Sequence, residues 1–171
     1  MSFAEILLPE FDQEMASTRK MLACVPDGKF DYKPHEKSMP MGNLAGHVAE
    51  MATWVPTTLN TDRLDLTPDM MPTYPKTNAE LLAALDKNVA EARAALEKAT
   101  DEDVAKIWTL TWQGQTIFAL PKSAVIRGMV MNHIIHHRAQ LGVYLRLNNV
   151  AIPGMYGPSA DEMASMQAAQ A

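Results

Sequence analysis

The chain has 171 residues and a formal charge of -5, with 47% of its residues apolar and 20% charged. That balance belongs to a globular protein with a core and excludes a largely disordered chain. With an acidic total and no basic run or basic–aromatic stripe, it also argues against a nucleic-acid partner.

One cysteine, Cys24, leaves no internal disulfide and points to a reducing, cytoplasmic setting. It ends a helical pattern, where a small buried hydrophobe is expected. Met1–Glu5 lacks the basic and long apolar stretches of a signal peptide, and no run approaches the ~20 apolar residues that span a bilayer. No membrane partner is expected.

The first helix opens on a capping box, Ser2-Phe3-Ala4-Glu5. Phe3, Leu7, Phe11, Met15, Thr18, Leu22 and Val25 then follow at helical steps. Pro9 predicts irregularity in the first turns, and Pro26-Asp27-Gly28 stops the helix. A second helix is expected near Ser38, with Ser38 as its cap and Pro40 in the first turn. Its apolar stripe runs through Leu44, His47 or Val48, Met51, Trp54 or Val55, and Leu59. Gly42 and Gly46 would let a neighbouring helix approach closely.

The connection from Thr61 to Lys76 carries three prolines, yet Asp69–Tyr74 is apolar for a loop, as expected of a segment that packs back on its own domain or covers a pocket or a subunit contact. Thr77-Asn78-Ala79-Glu80 caps a third helix through Leu81, Leu85, Val89, Ala92 and Leu96. Ile107–Trp112 has strand character, Gln113-Gly114-Gln115 is a turn, and Thr116–Phe118 is a short partner strand or an extended crossover. Pro121 or Ser123 opens the last long helix, ending near Leu147 and roughly 40 Å long at ~1.5 Å per residue. Ser159-Ala160-Asp161-Glu162 caps a short terminal helix. Four amphipathic segments with room for one small hairpin before the last helix predict an all-α four-helix bundle, one domain over 1–171 with its core from about 3 to 162.

Three of the five histidines fall in Met131–Leu141. His133 and His137 stand one helical turn apart on the face that carries Ile126, Val130, Leu141 and Tyr144 or Leu145, so both are expected to point inward. His47 is the third histidine on an apolar stripe. Buried imidazoles need partners, and a divalent metal can serve all three. Three nitrogen ligands leave open coordination positions, and zinc, nickel, iron or copper would accept them. Packing and hydrogen bonding between helices is the alternative from spacing alone. His136, rotated ~100° from His137, and the loop residue His35 are expected to be exposed. Asn132 and Gln140 are candidate hydrogen-bond partners of the ligands, and Arg138 is expected in a surface or interface ion pair. No nucleophile elbow, phosphate loop or dinucleotide fingerprint is present, so a catalytic residue is not assigned.

His133-x-x-x-His137-Arg138-x-Gln140-Leu141-x-x-Tyr144-Leu145-Arg146 resembles the last helix of the DinB/YfiT-like superfamily. Leu44-x-x-His47-Val48-Ala49 with Trp54 resembles its second helix, and Pro153-Gly154-Met155-Tyr156-Gly157-Pro158 its tail. The similarity runs from Phe3 to Glu162. It implies a four-helix bundle with a long crossover, usually a homodimer, holding nickel or zinc through His47, His133 and His137. It also implies a small-molecule substrate, met either by thiol-dependent transferases and isomerases that use a low-molecular-weight thiol or by metal-dependent hydrolases. Many members have no known reaction, so a non-catalytic ligand-binding protein and a metal-braced structural bundle remain the competing expectations. Ala139 departs from the glycine often found after the arginine.

Overall fold

The computed structural model describes residues 1–70 and 72–169. α1 (Phe3–Ala23) starts at Ser2, whose hydroxyl accepts from the Glu5 N–H while the Glu5 carboxylate accepts from the Ser2 N–H. The helix runs unbroken through Pro9, so the expected interruption is absent. Pro9 is exposed, on the side away from buried Leu7 and Phe11. The end of α1 is held from elsewhere in the chain: the Asn78 amide donates to the Leu22 and Val25 carbonyls.

α2 (Met41–Glu50) begins one residue after Pro40, which is its cap; Ser38 lies too early to serve, a correction to the expected start. A 3₁₀ turn at Met51–Thr53 bends the chain into α3 (Trp54–Asn60). Asn88 donates to the Ala49 carbonyl at this bend, satisfying an acceptor that regular helix would have used. Gly42 and Gly46 face the rings of Phe30 and Tyr74, so loop aromatics fill the space expected for a helix.

α4 (Asn78–Lys98) is capped by Thr77, as its sequence predicts. A short helix, α5 (Asp101–Ala105), has its own capping box at Thr100 and Asp103. The chain then forms β2 (Ile107–Trp112) and β3 (Gln115–Pro121), preceded in order by β1 (Arg63–Leu66). β2 and β3 pair antiparallel through a two-residue turn whose Gln113 and Gly114 both have positive φ, 48° and 78°. That conformation matches the twist of a hairpin, and it places glycine where a side chain would be strained.

β1 pairs parallel with β2, an element that the alternation of Leu64 and Leu66 inside a proline-rich connection did not reveal. The fold is therefore mostly helical with a small three-stranded sheet, where the periodicity predicts an all-α bundle with at most a hairpin.

The last long helix is composite: α6 (Lys122–Val125), a π-helical stretch over Ile126–Asn132, and α7 (His133–Leu147). α8 (Ala160–Ala168) follows, capped by Ser159 and Glu162 as expected, while the last two residues of the expected tail lie outside the described residues.

α1 and α2 each touch both α4 and α7, and the residues facing inward form the main core, including Phe11, Leu22, Leu44, Leu85, Ile134 and Leu141. A second cluster of Trp108, Leu110 and Val125 packs between the sheet and α3, joined by Trp54, Leu64, Leu66 and Phe118. No helix among the described residues is long and apolar enough to cross a membrane.

Candidate metal centre

α2 contributes His47 and α7 contributes His133 and His137, and contact between these helices brings the three rings together. Their centroids stand 5.2 Å (His47–His133), 4.9 Å (His47–His137) and 4.6 Å (His133–His137) apart. One nitrogen from each ring falls within 4.8 Å of the other two, close enough that the trio could hold a metal ion. All three are half-buried, so the pair on α7 sits at the rim of the core and not inside it as the apolar stripe predicts.

The outward hydrogen bonds decide which nitrogens are free. His47 Nδ1 lies 2.9 Å from Glu50 Oε1, and an ionised carboxylate can only accept. The His47 proton therefore sits on Nδ1. His133 Nδ1 faces the Met129 carbonyl at 3.3 Å and His137 Nδ1 faces Gln140 Oε1 at 2.7 Å, both again acceptors. A neutral ring in each of these places spends its single N–H outward and keeps the Nε2 lone pair for the centre. Burial, and then the neighbouring charges, push the pKa of His133 below its ordinary value; for His137 burial is again the largest cause. Neutral rings at pH 7 follow for both.

His133 Nε2 and His137 Nε2 lie only 2.7 Å apart. Between neutral rings two lone pairs at that distance repel, and a hydrogen bond between them would need one ring to give up its outward contact. A cation shared by the lone pairs removes the conflict. The donor set therefore fits an imidazole-binding divalent ion.

Glu50 was missed from the sequence, although its place three residues after His47 on a helix is a usable signal. It also accepts a hydrogen bond from the Tyr74 hydroxyl at 3.3 Å, and burial together with the Glu50 charge pushes Tyr74 up to about 12. Gln140 holds His137 as expected. Asn132 does not join the site: it accepts from Arg127 at the surface. His136 and His35 are exposed, as expected.

Arg138 is a correction. It is 1% exposed, and its guanidinium pairs with Glu14 at 2.7 Å and donates to the Thr18 hydroxyl, the Glu14 carbonyl and the Tyr156 hydroxyl. Cys24 is half-buried with its Sγ on the Lys20 carbonyl, and burial pushes its thiol up, away from a reactive thiolate.

Two cavities among the described residues border this centre, one at His47 and one at His137. One of about 400 Å³ has His47 and Glu50 in its wall together with Trp54, Leu64, Tyr74 and Trp112. The other, about 410 Å³, is lined by His137, Gln140, Ser38 and Tyr144 among others. The apolar connection expected to cover a pocket contributes Met70, Pro72 and Tyr74 to the first cavity, while Met71 lies outside the described residues.

The DinB family model matches residues 1–170. The chain belongs to the DinB family. A relative from Bacillus subtilis, an uncharacterized protein named YrdA, is 25% identical over 158 residues, which cover 92% of this chain and 90% of that one. The DinB fold is shared with a crystal structure of a DinB-like protein from Bacillus cereus, with a TM-score of 0.70 and 23% identity over 89% of this chain and 97% of the other. A second DinB-like protein, YjoA of Bacillus subtilis, superposes with a TM-score of 0.68 and 20% identity, covering 87% of this chain and 96% of that one.

Proposed function

We propose that this DinB protein is a metal-dependent enzyme acting on a small molecule. It holds one divalent ion, nickel or zinc, through His47, His133 and His137, and serves either transfer involving a low-molecular-weight thiol or hydrolysis. The observation that carries this reading is one nitrogen from each of three rings within 4.8 Å of the others, with every Nδ1 beside an outward acceptor and with cavities bordering the cluster. A purely structural brace would need no such access.

When bound, a divalent ion supplies Lewis acidity, lowering the pKa of water or of a thiol in its open positions. The chain supplies the rest. Glu50 and Gln140 lock the tautomers and orientations of His47 and His137, and Tyr74 holds Glu50 in turn. The half-buried setting keeps the His133 and His137 rings neutral and available. The lone cysteine is poorly ionised, so the nucleophile comes from solution, which favours an external thiol or water.

The same proposal takes the chain as one domain whose helical core is a four-helix bundle and whose working form is a homodimer. Exposed apolar side chains on α7 and α8, Val143, Leu147, Met163 and Met166, support the pairing surface.

The test is the metal content of protein purified without chelator or nickel affinity resin, followed by turnover of an electrophile with a thiol. About one ion per chain, lost in His47→Ala and His133→Ala, with turnover that depends on it, is the expected result. Equal turnover with and without metal would remove the mechanism. A chain that takes up no ion on titration would remove the site.

A further inference from the structure

The cavity beside His47 has a composition that its volume alone does not convey. Trp54, Trp112, Leu64 and Leu66 line it together with Thr57 and the Glu50–Tyr74 pair, which reaches His47 through Glu50. Neither lysine nor arginine lines it among the described residues, and Glu50 is its one carboxylate.

The walls are built in by the fold. β1 alternates, so Leu64 and Leu66 share one face of the sheet. Asp65 is turned away and anchored, accepting from the Thr111 hydroxyl at 2.7 Å and from the Gly114 N–H at 2.9 Å. Trp54 leans edge-on against buried Trp108 at 6.2 Å, which fixes one side of its indole and leaves the other to the cavity. A groove of about 400 Å³ whose aromatic and leucine walls are held by sheet pairing and core packing is preformed for a small ligand.

We infer that this groove binds the uncharged body of the substrate, an aryl or branched alkyl group, with the reactive end directed at the three histidines. The inference rests on the metal-dependent reading above and adds the substrate class to it. Two indoles and two leucines reward apolar and aromatic surface. An anionic body would meet the Glu50 carboxylate with no cationic side chain to pair with, in a protein of net charge -5. A cationic body is poorly served, because the Glu50 carboxylate is already engaged by His47 and Tyr74.

Equilibrium dialysis of the metal-free full chain against 4-nitrobenzyl alcohol, 4-nitrobenzoate and 4-nitrobenzylamine tests the groove apart from the metal. The neutral alcohol is expected to bind saturably, at least tenfold tighter than either charged analogue. Trp112 is 41% exposed at the end of β2, so Trp112→Arg should fold, and circular dichroism checks that it does. It is expected to weaken the alcohol and strengthen the benzoate, while Trp112→Phe keeps the wild-type order.

Cobalt-loaded protein then links the groove to the histidines: benzyl mercaptan is expected to shift the visible spectrum at a concentration at least fivefold lower than mercaptoacetate. Benzoate or benzylamine binding as tightly as the alcohol overturns the inference, as does a benzyl mercaptan with no advantage. Cobalt uptake with no binding of the neutral probe overturns the groove and leaves the metal reading standing. Alcohol binding in a protein that takes no metal does the reverse.

Discussion

His137 and Arg138 are adjacent in α7, yet they belong to two polar clusters of opposite kind. Around Arg138 the donors and acceptors close on one another: guanidinium to the Glu14 carboxylate, Thr18 and Tyr156, and Tyr156 onward to Glu14. Around His137 the hydrogen bonds satisfy only the outside of each ring, and the inner atoms are all acceptors. The first cluster is complete within the chain, whereas the second, in the metal-dependent reading proposed above, leaves its inner lone pairs to a shared ion. A polar group's burial is thus a poor guide to its purpose; whether its partners are all internal is a better one.

Breaking the closed cluster should have the largest effect, and it should be on stability. Glu14→Ala leaves the Arg138 charge buried without its partner, and a loss of about 3–5 kcal/mol of unfolding free energy is expected by urea titration. A change under about 1 kcal/mol would mean that water reaches the pair. Breaking the open cluster should act on metal instead. His133→Ala is expected to weaken binding by about 3–4 kcal/mol, several hundredfold, as one of a few ligands, while the metal-free protein keeps its urea midpoint. An equal loss of metal-free stability would show that the ring braces the helices.

Smaller changes sharpen the contrast. Glu50→Gln keeps an oxygen near His47 but removes the charge, and calorimetry should find metal affinity down by roughly 10–100-fold. Gly46→Ala would put a Cβ 2.6–2.7 Å from Tyr74 atoms and move that ring off Glu50. A cost of about 1–3 kcal/mol in stability is expected, with a fall in metal affinity below that of Glu50→Gln.

The pH dependence should be the mildest effect. His133 and His137 have folded pKa values below the ordinary 6.5, so as pH falls through 6.5 the unfolded chain takes up protons first. Metal-free stability is therefore full above 6.5 and declines below it, until the folded rings protonate as well. Replacing both rings with alanine should flatten the urea midpoint between pH 7.5 and 5.5; an unchanged slope would place the proton uptake elsewhere.

The helix starts at Ser2, Thr77 and Ser159 were legible because capping is local chemistry, written within four residues. The histidine trio was legible because His133 and His137 declare their shared face and His47 lies on an apolar stripe. The β1 strand was not, since its pairing with β2 is set more than forty residues away in sequence by Thr109–Trp112. Arg138 was misjudged for a similar reason: its partners Glu14 and Tyr156 come from α1 and the tail, and nothing beside Arg138 announces them. The leucine wall of the cavity beside His47, Leu64 and Leu66, depended on the same unseen strand.

The π-helical stretch before His133 has a consequence for insertions and deletions. A π-helical stretch holds an extra residue in a wider turn, so removing one residue from Ile126–Asn132 would let the segment tighten to regular α-helix with little net rotation of what lies beyond it. His133 and His137 would then stay opposite His47, and Arg138 opposite Glu14. This short length of chain therefore acts as a slack turn, the one place in the long helix where losing a residue would cost its alignment least.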